Sequence, residues 1–211
     1  MTPQWLIDLG RKVRASFGVL SPGFPDEWQL LPALHVNEDG WLEGEGVVTM
    51  PSDPSWYYPR LSTPDGSPRA IVAHCSATNV GTGRTMARNR MRPREKTDRA
   101  ASWHISVEPH EIVQQAPLDV GCWHALGTIK GIGPANRTAV GIEMVGWEKG
   151  PWPESQIQHA CRVWRAVVQS YGIKRQHALI PHAVLDPERR SDPGKLFMRE
   201  HAHRVLDFAF A

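Results

Sequence analysis

Two histidines and two carboxylates of this sequence stand where a fold can gather them. His74 closes the apolar run Ala70-Ile71-Val72-Ala73. His182 and Asp192 lie ten residues apart in the Pro-rich stretch from Pro181 to Gly194. Glu143 lies in the segment Thr138 to Val145, on the face it shares with the small residues Ala139 and Gly141. Two imidazoles and one carboxylate make a three-ligand zinc set that leaves a fourth position for water, the arrangement of catalytic rather than structural zinc. The spacing does not select this chemistry by itself. His74 is more than a hundred residues from His182, and no short motif such as HExxH links them. Hydrogen-bonded core histidines, a helix N-cap at Asp192 and a buried ion pair at Glu143 fit the same residues.

The elements that must position these groups are legible in part. The run 70–73 predicts a buried central strand. Residues 102–107 alternate, with Trp103, Ile105 and Val107 on one face and Ser102, His104 and Ser106 on the other. Residues 112–115 can pair with them as a hairpin, and 138–145 read as a further strand. Residues 80–99 read as a loop with some helix. From Glu154 to Tyr171 an apolar stripe recurs at helical spacing, with Pro153 at its start and Gly172 at its end. A last helix is expected from Lys195 to Phe208. Near the N-terminus, Trp5, Leu6, Leu9, Val13 and Phe17 predict an amphipathic helix over 3–17. The turn-rich stretch 21–25 and the hairpin signal Asp39-Gly40 follow. The expected fold is α/β: a mixed central β-sheet flanked by helices, with the candidate site, a zinc site if the three-ligand reading holds, at strand ends and loops. Residues 1–45 are expected to form an N-terminal extension, and residues 46–211 the main domain.

Composition narrows the classes. Hydrophobic residues make up 41% of the 211 and charged residues 22%, as in globular chains. A net charge of +2 is too mild for a dedicated nucleic-acid binder. Seven Arg or Lys do cluster between Arg84 and Arg99, as a solvated face or a contact for an anionic polymer. Cys75, Cys122 and Cys161 are odd in number and widely spaced, which is no disulfide framework. No apolar run is long enough to predict a transmembrane helix. Asp8, Arg11, Lys12 and Arg14 stand where a secretory signal would be apolar, so no signal peptide is expected.

Five segments then appear in order: His74-Cys75-Ser76-Ala77-Thr78, Ala101-Ser102-Trp103-His104, Cys122-Trp123-His124-Ala125, Val140-Gly141-Ile142-Glu143-Met144, and His182 with Arg190-Ser191-Asp192-Pro193-Gly194. From about residue 69 to about 200 the chain resembles the type 2 N-acetylmuramoyl-L-alanine amidases. These include phage lysins, muropeptide-recycling amidases and animal peptidoglycan recognition proteins. The resemblance implies one zinc ion held by His74, His182 and Asp192, with Glu143 handling the proton of the attacking water. It implies hydrolysis of the amide between N-acetylmuramic acid and L-alanine in peptidoglycan or muropeptides, as in an endolysin or another bacteriolytic or wall-turnover enzyme. Arg190 stands where the family commonly has Lys. It keeps the positive charge but does not donate a proton near neutral pH. A Tyr seen in part of the family has no counterpart here, where Trp103 and His104 stand. His104, His124 and Trp103 are assigned to the substrate groove. Trp147 and Trp152, just beyond the Glu143 strand, are candidates for stacking on sugar rings.

The competing expectation is a peptidoglycan-recognition module that binds without cutting; the presence of both Asp192 and Glu143 argues against it. Another zinc amide hydrolase acting outside the wall is a further alternative, and nucleic acid is not an expected partner. The expected localisation is synthesis in the cytoplasm, with action on the wall after release or injection, or on cytoplasmic muropeptides. The N-terminal extension is a candidate docking segment for a protein carrier or for the wall.

Overall fold

The computed structural model describes Trp28, residues 31–60, Thr63 and residues 65–211. The helix expected over 3–17 and the turn-rich stretch 21–25 lie outside the described residues.

In chain order the elements begin with a short antiparallel pair, β1 (His35–Val36) and β2 (Leu42–Glu43). Gly40 turns the chain between them with a φ of 77°, a conformation favoured by glycine. Next come β3 (Val47–Thr49), β4 (Tyr57–Pro59), β5 (Ala70–Cys75) and helix α1 (Gly83–Arg88). The hairpin β6 (Ile105–Val107) and β7 (Ile112–Gln114) follows, then β8 (Val120–Cys122) and the small pair β9 (Thr128–Ile129) and β10 (Gly133–Pro134). The chain continues through α2 (Ala135–Thr138), β11 (Ala139–Met144), the long helix α3 (Glu154–Tyr171), β12 (Ile180–Pro181) and α4 (His182–Leu185). It closes with α5 (Lys195–Glu200) and α6 (Ala202–Phe210).

Six strands form one mixed sheet in the order β12-β5-β11-β6-β7-β3. The first four run parallel, β7 is antiparallel to β6, and β3 is parallel to β7. The central strands are apolar on both faces because both faces are covered. On one face Ile71, Ala73, Val140 and Ile142 join the stripe of α3 (Ile157, Ala160, Trp164, Val167) and Val205 and Phe208 of α6 in a single core. Each fully buried Ile or Val side chain among them contributes about 1.5–3 kcal/mol. On the other face Ala70, Val72 and Ala139 pack under Ala125, Ile129 and Ala135.

The α3 boundaries match the periodicity, and Gly172 ends the helix in the left-handed conformation at φ 60°. Two expectations change. The final helix is broken at His201 into α5 and α6. The alternating segment 102–107 becomes strand only from Ile105, and its polar face is turned inward. Ser102 Oγ donates to the Trp56 carbonyl at 2.6 Å, and Trp103 Nε1 donates to Ser106 Oγ at 2.8 Å. Alternation therefore marks a strand whose polar side faces buried partners instead of water.

The described residues before 46 share the main core. Trp28, Leu34 and Leu42 are buried in it, and the Arg204 guanidinium stacks 4.6 Å over the Trp28 ring. Arg162 on α3 donates to the carbonyls of Pro32 and Glu45. The β1–β2 turn is held by one buried side chain, Gln114. Its amide oxygen accepts from Leu42 N at 2.6 Å, and its amide nitrogen donates to the carbonyls of Gly40 and Ala116 at 2.9 Å. Gln114→Leu leaves Leu42 N without this acceptor and the Ala116 carbonyl without this donor, while the Gly40 carbonyl keeps its bond from Leu118 N, and the expected loss is about 3 kcal/mol. Urea unfolding checks this; an unchanged midpoint would show that the turn gains nothing from Gln114.

Candidate active site

The parallel register of β5 with its two neighbours places the chemistry. On β11, Glu143 pairs in register with His74. On the other side, Pro181 of β12 pairs with Ala73, so His182 is the next residue beyond the pairing, beside His74. The chain then turns through α4 and returns, and Ala183 N donates to the Asp192 carbonyl at 3.0 Å. Asp192 thereby comes back to the residue that follows His182.

The three side chains converge. His74 Nδ1 lies 3.0 Å from His182 Nδ1, His182 Nδ1 lies 3.0 Å from Asp192 Oδ2, and His74 Nδ1 lies 3.3 Å from the same oxygen. His74, His182 and Asp192 are only 2%, 4% and 6% exposed. Burial pushes the His74 pKa down to about 4, against the opposing pull of Asp192. For Asp192, burial works to raise the pKa, but hydrogen bonds from His182 and His74 outweigh it and the net direction is down. Two imidazole nitrogens and a carboxylate oxygen thus converge on one point. A cation satisfies that arrangement, and the ligand atoms all lie within 4.8 Å of one another.

Glu143 is half-buried beside this cluster, and its Oε2 is buried without a hydrogen-bond partner. Burial, and then the charge of Asp192, push its pKa up to about 8. Arg190 is exposed on the return loop, and its charge acts on both His74 and Glu143. The loop after β11 ties the site together: Gly146 N donates to Ser76 Oγ, Trp147 Nε1 to Asn79 Oδ1, and Ser191 Oγ to Glu148 Oε1. Trp147 is 55% exposed, whereas Trp152 is buried in the core and offers no face to a sugar.

The residues expected at a substrate groove divide. His124 touches the cluster, with Nδ1 3.0 Å from His74 Nε2. His104 lies beneath it and is fully buried. Its Nδ1 accepts from Gly141 N at 3.0 Å and its Nε2 donates to the Val120 carbonyl at 3.0 Å, so neither nitrogen is free for a substrate. Trp103 is 8% exposed, and the Arg90 guanidinium covers its ring at 4.0 Å. The alternation that put His104 on a polar face gave no sign that β8 and Arg60 close that face. Sequence reasoning missed Arg60. It is buried and donates to the carbonyls of Leu118, Val120 and Ala139. A lone Arg in a Pro-rich stretch carries no signal for such a role.

Fold and site together define an α/β protein with a buried His-His-Asp cluster at the ends of parallel strands. The sequence profile of the N-acetylmuramoyl-L-alanine amidase family matches residues 64–195, and the chain belongs to that family. It is 31% identical over 187 residues to the N-acetylmuramoyl-L-alanine amidase AmiD of Escherichia coli (strain K12), covering 80% of this chain and 62% of AmiD. It is 29% identical over 97 residues to the 1,6-anhydro-N-acetylmuramyl-L-alanine amidase AmpD of Enterobacter cloacae, covering 46% of this chain and 51% of that one. The chain thus spans about half to three-fifths of the length of these curated relatives. Among solved structures, the crystal structure of an AmpD selenomethionine derivative superimposes with a TM-score of 0.62 at 23% identity, covering 80% of this chain and 97% of that one. The E. coli AmiD complex with anhydro-N-acetylmuramic acid-L-Ala-D-gamma-Glu-L-Lys gives a TM-score of 0.54 at 22% identity, covering 84% and 66%. These likenesses establish the fold.

Burial, and then the nearby Arg60 charge, hold the His104 pKa down at about 3. The ring is therefore neutral in the folded protein, while an unfolded histidine titrates near 6.5. Its contribution is fully present above about 6.5 and is lost as pH falls toward 3, at up to about 1.4 kcal/mol per pH unit. His104→Asn keeps an acceptor for Gly141 N and removes the titration. Urea unfolding between about pH 7 and 5 should show a shallower loss of stability in the variant. Equal slopes would remove His104 from the acid response.

Proposed function

We propose that this chain is a zinc-dependent N-acetylmuramoyl-L-alanine amidase that hydrolyses the amide between N-acetylmuramic acid and L-alanine in peptidoglycan or muropeptides. One observation carries the reading. The His74–His182–Asp192 cluster, with the unpartnered Glu143 oxygen beside it, lies within the segment that matches the amidase family. AmiD and AmpD are named for the same bond, and the AmiD complex holds a muramyl peptide. Two imidazoles, one carboxylate and an open fourth position suit zinc better than magnesium or calcium, which prefer oxygen donors.

His74, His182 and Asp192 hold the ion, which when bound supplies Lewis acidity to the amide carbonyl and to the attacking water. Glu143 accepts the proton of the water at its carboxylate and passes it to the departing L-alanine nitrogen. Its low-dielectric surroundings suit that exchange, because they favour the protonated form that must give the proton back. Arg190 places a fixed positive charge beside the developing oxyanion. The exposed Trp147 indole offers a stacking surface at the rim. The basic segment 84–99 keeps exposed cations for an anionic wall polymer, and residues 1–45 are proposed as an extension of the catalytic domain 46–211.

Incubation of the purified protein with polymeric peptidoglycan, with chelator and then zinc added back, tests the reading by mass spectrometry of the products. Free stem peptides beginning at L-alanine are expected, lost with chelator and restored by zinc. Wall binding without product in zinc-loaded protein would assign the chain to recognition instead. Glu143→Gln should lower kcat by about 10²- to 10⁴-fold, the range of general acid–base catalysis, while zinc stoichiometry stays at one. Arg190→Ala should lower kcat by about 10²-fold with little change in KM. An unchanged kcat in either variant removes that residue from the mechanism.

A further inference from the structure

We propose that His124 is a positioning residue that fixes the tautomer and orientation of His74, so that the His74 Nδ1 lone pair faces the cation. The proposal rests on the cation-site reading above and assigns His124 a role apart from substrate contact.

The hydrogen-bond geometry permits one consistent proton arrangement. His74 Nδ1 points at His182 Nδ1 and Asp192 Oδ2 and is the nitrogen a cation takes. The His74 proton then sits on Nε2, which lies 3.0 Å from His124 Nδ1. His124 Nδ1 must accept, so the His124 proton sits on Nε2, which lies 3.3 Å from the Ala139 carbonyl. That carbonyl ends the chain, since it can only accept. It also receives both terminal nitrogens of Arg60 at 3.3 Å, and this buried guanidinium excludes a second cation on the imidazole side.

The His124 ring is held as firmly as its role requires. It stands perpendicular to the His74 ring, with centroids 5.2 Å apart. Its backbone N donates to Asn136 Oδ1 at 2.8 Å. Its Cγ occupies the space above Gly141, where a Cβ would approach it to 2.6 Å. Gly141 is two residues before Glu143 on β11, so one strand supplies both the carboxylate of the site and the recess for the ring behind its ligand.

Leucine and asparagine have nearly the same shape, but only asparagine presents an acceptor where Nδ1 stood. Zinc affinity is measured by competition with a chromophoric chelator in His124→Leu and His124→Asn, with folding of each checked by circular dichroism. His124→Leu should bind zinc about 10- to 100-fold more weakly than the parent, the usual effect of losing the partner of a ligating histidine. His124→Asn should recover most of that loss. Long-range ¹H–¹⁵N spectra of the zinc-loaded parent should show His74 protonated at Nε2. Equal zinc affinity in parent and His124→Leu, or a His74 proton on Nδ1, overturns the proposal and leaves the amidase reading standing. A parent chain that binds no zinc overturns both.

Discussion

The parallel pairing of β5 with β11 and β12 is the constraint on which the rest of this structure depends. A strand places its side chains at fixed intervals, and a slip of one residue sends them to the opposite face. Here His74 and Glu143 share a register position, and His182 follows the last paired residue of the neighbouring strand. The backbone register alone therefore brings His74, Glu143 and His182 to one end of the sheet. Asp192 alone arrives by a loop, and the bond from Ala183 N to its carbonyl replaces the missing strand pairing.

Bringing these groups together underground has a cost, because buried polar groups need partners. Around this site the partners are mostly backbone. His104 spans from Gly141 N to the Val120 carbonyl, Arg60 gathers carbonyls from two segments, and Asn136 caps two successive amides, those of His124 and Ala125. Each polar side chain thus connects elements that no strand pairing joins. Burial in this setting keeps His74 and His124 neutral, the form of imidazole that can coordinate a cation.

What could be read from the chain beforehand follows the range of the interaction. The β5 and β11 strands and α3 were legible because continuous apolar runs and a 3.6-residue stripe are local signals. The clustering of His74, His182 and Asp192 was legible only through the order of five segments; no local spacing joins residues 108 apart. The substrate assignment of His104 and Trp103 missed their surroundings because Ser102, His104 and Ser106 alternate just as solvent-facing residues do. Nothing local reveals that Trp56, Val120 and Arg60 cover them. The break at His201 lacks a Gly or Pro to announce it. Strand β3 was hidden by its brevity, three residues recruited to the edge by β7.

The separation of the ligands along the chain also bears on the time course of synthesis. His74 leaves the ribosome long before His182 and Asp192, and β12, which carries the chain to His182, can add to β5 only after the whole of α3 has been made. Strand β5 must wait with one edge bare until then, and a lone imidazole at its end holds an ion weakly. The three side chains of the proposed ion site therefore meet only late in the synthesis of the chain. A translation product cut short before Asp192 lacks one of the three groups that the proposed site needs, so that site exists only in chains that have passed this residue.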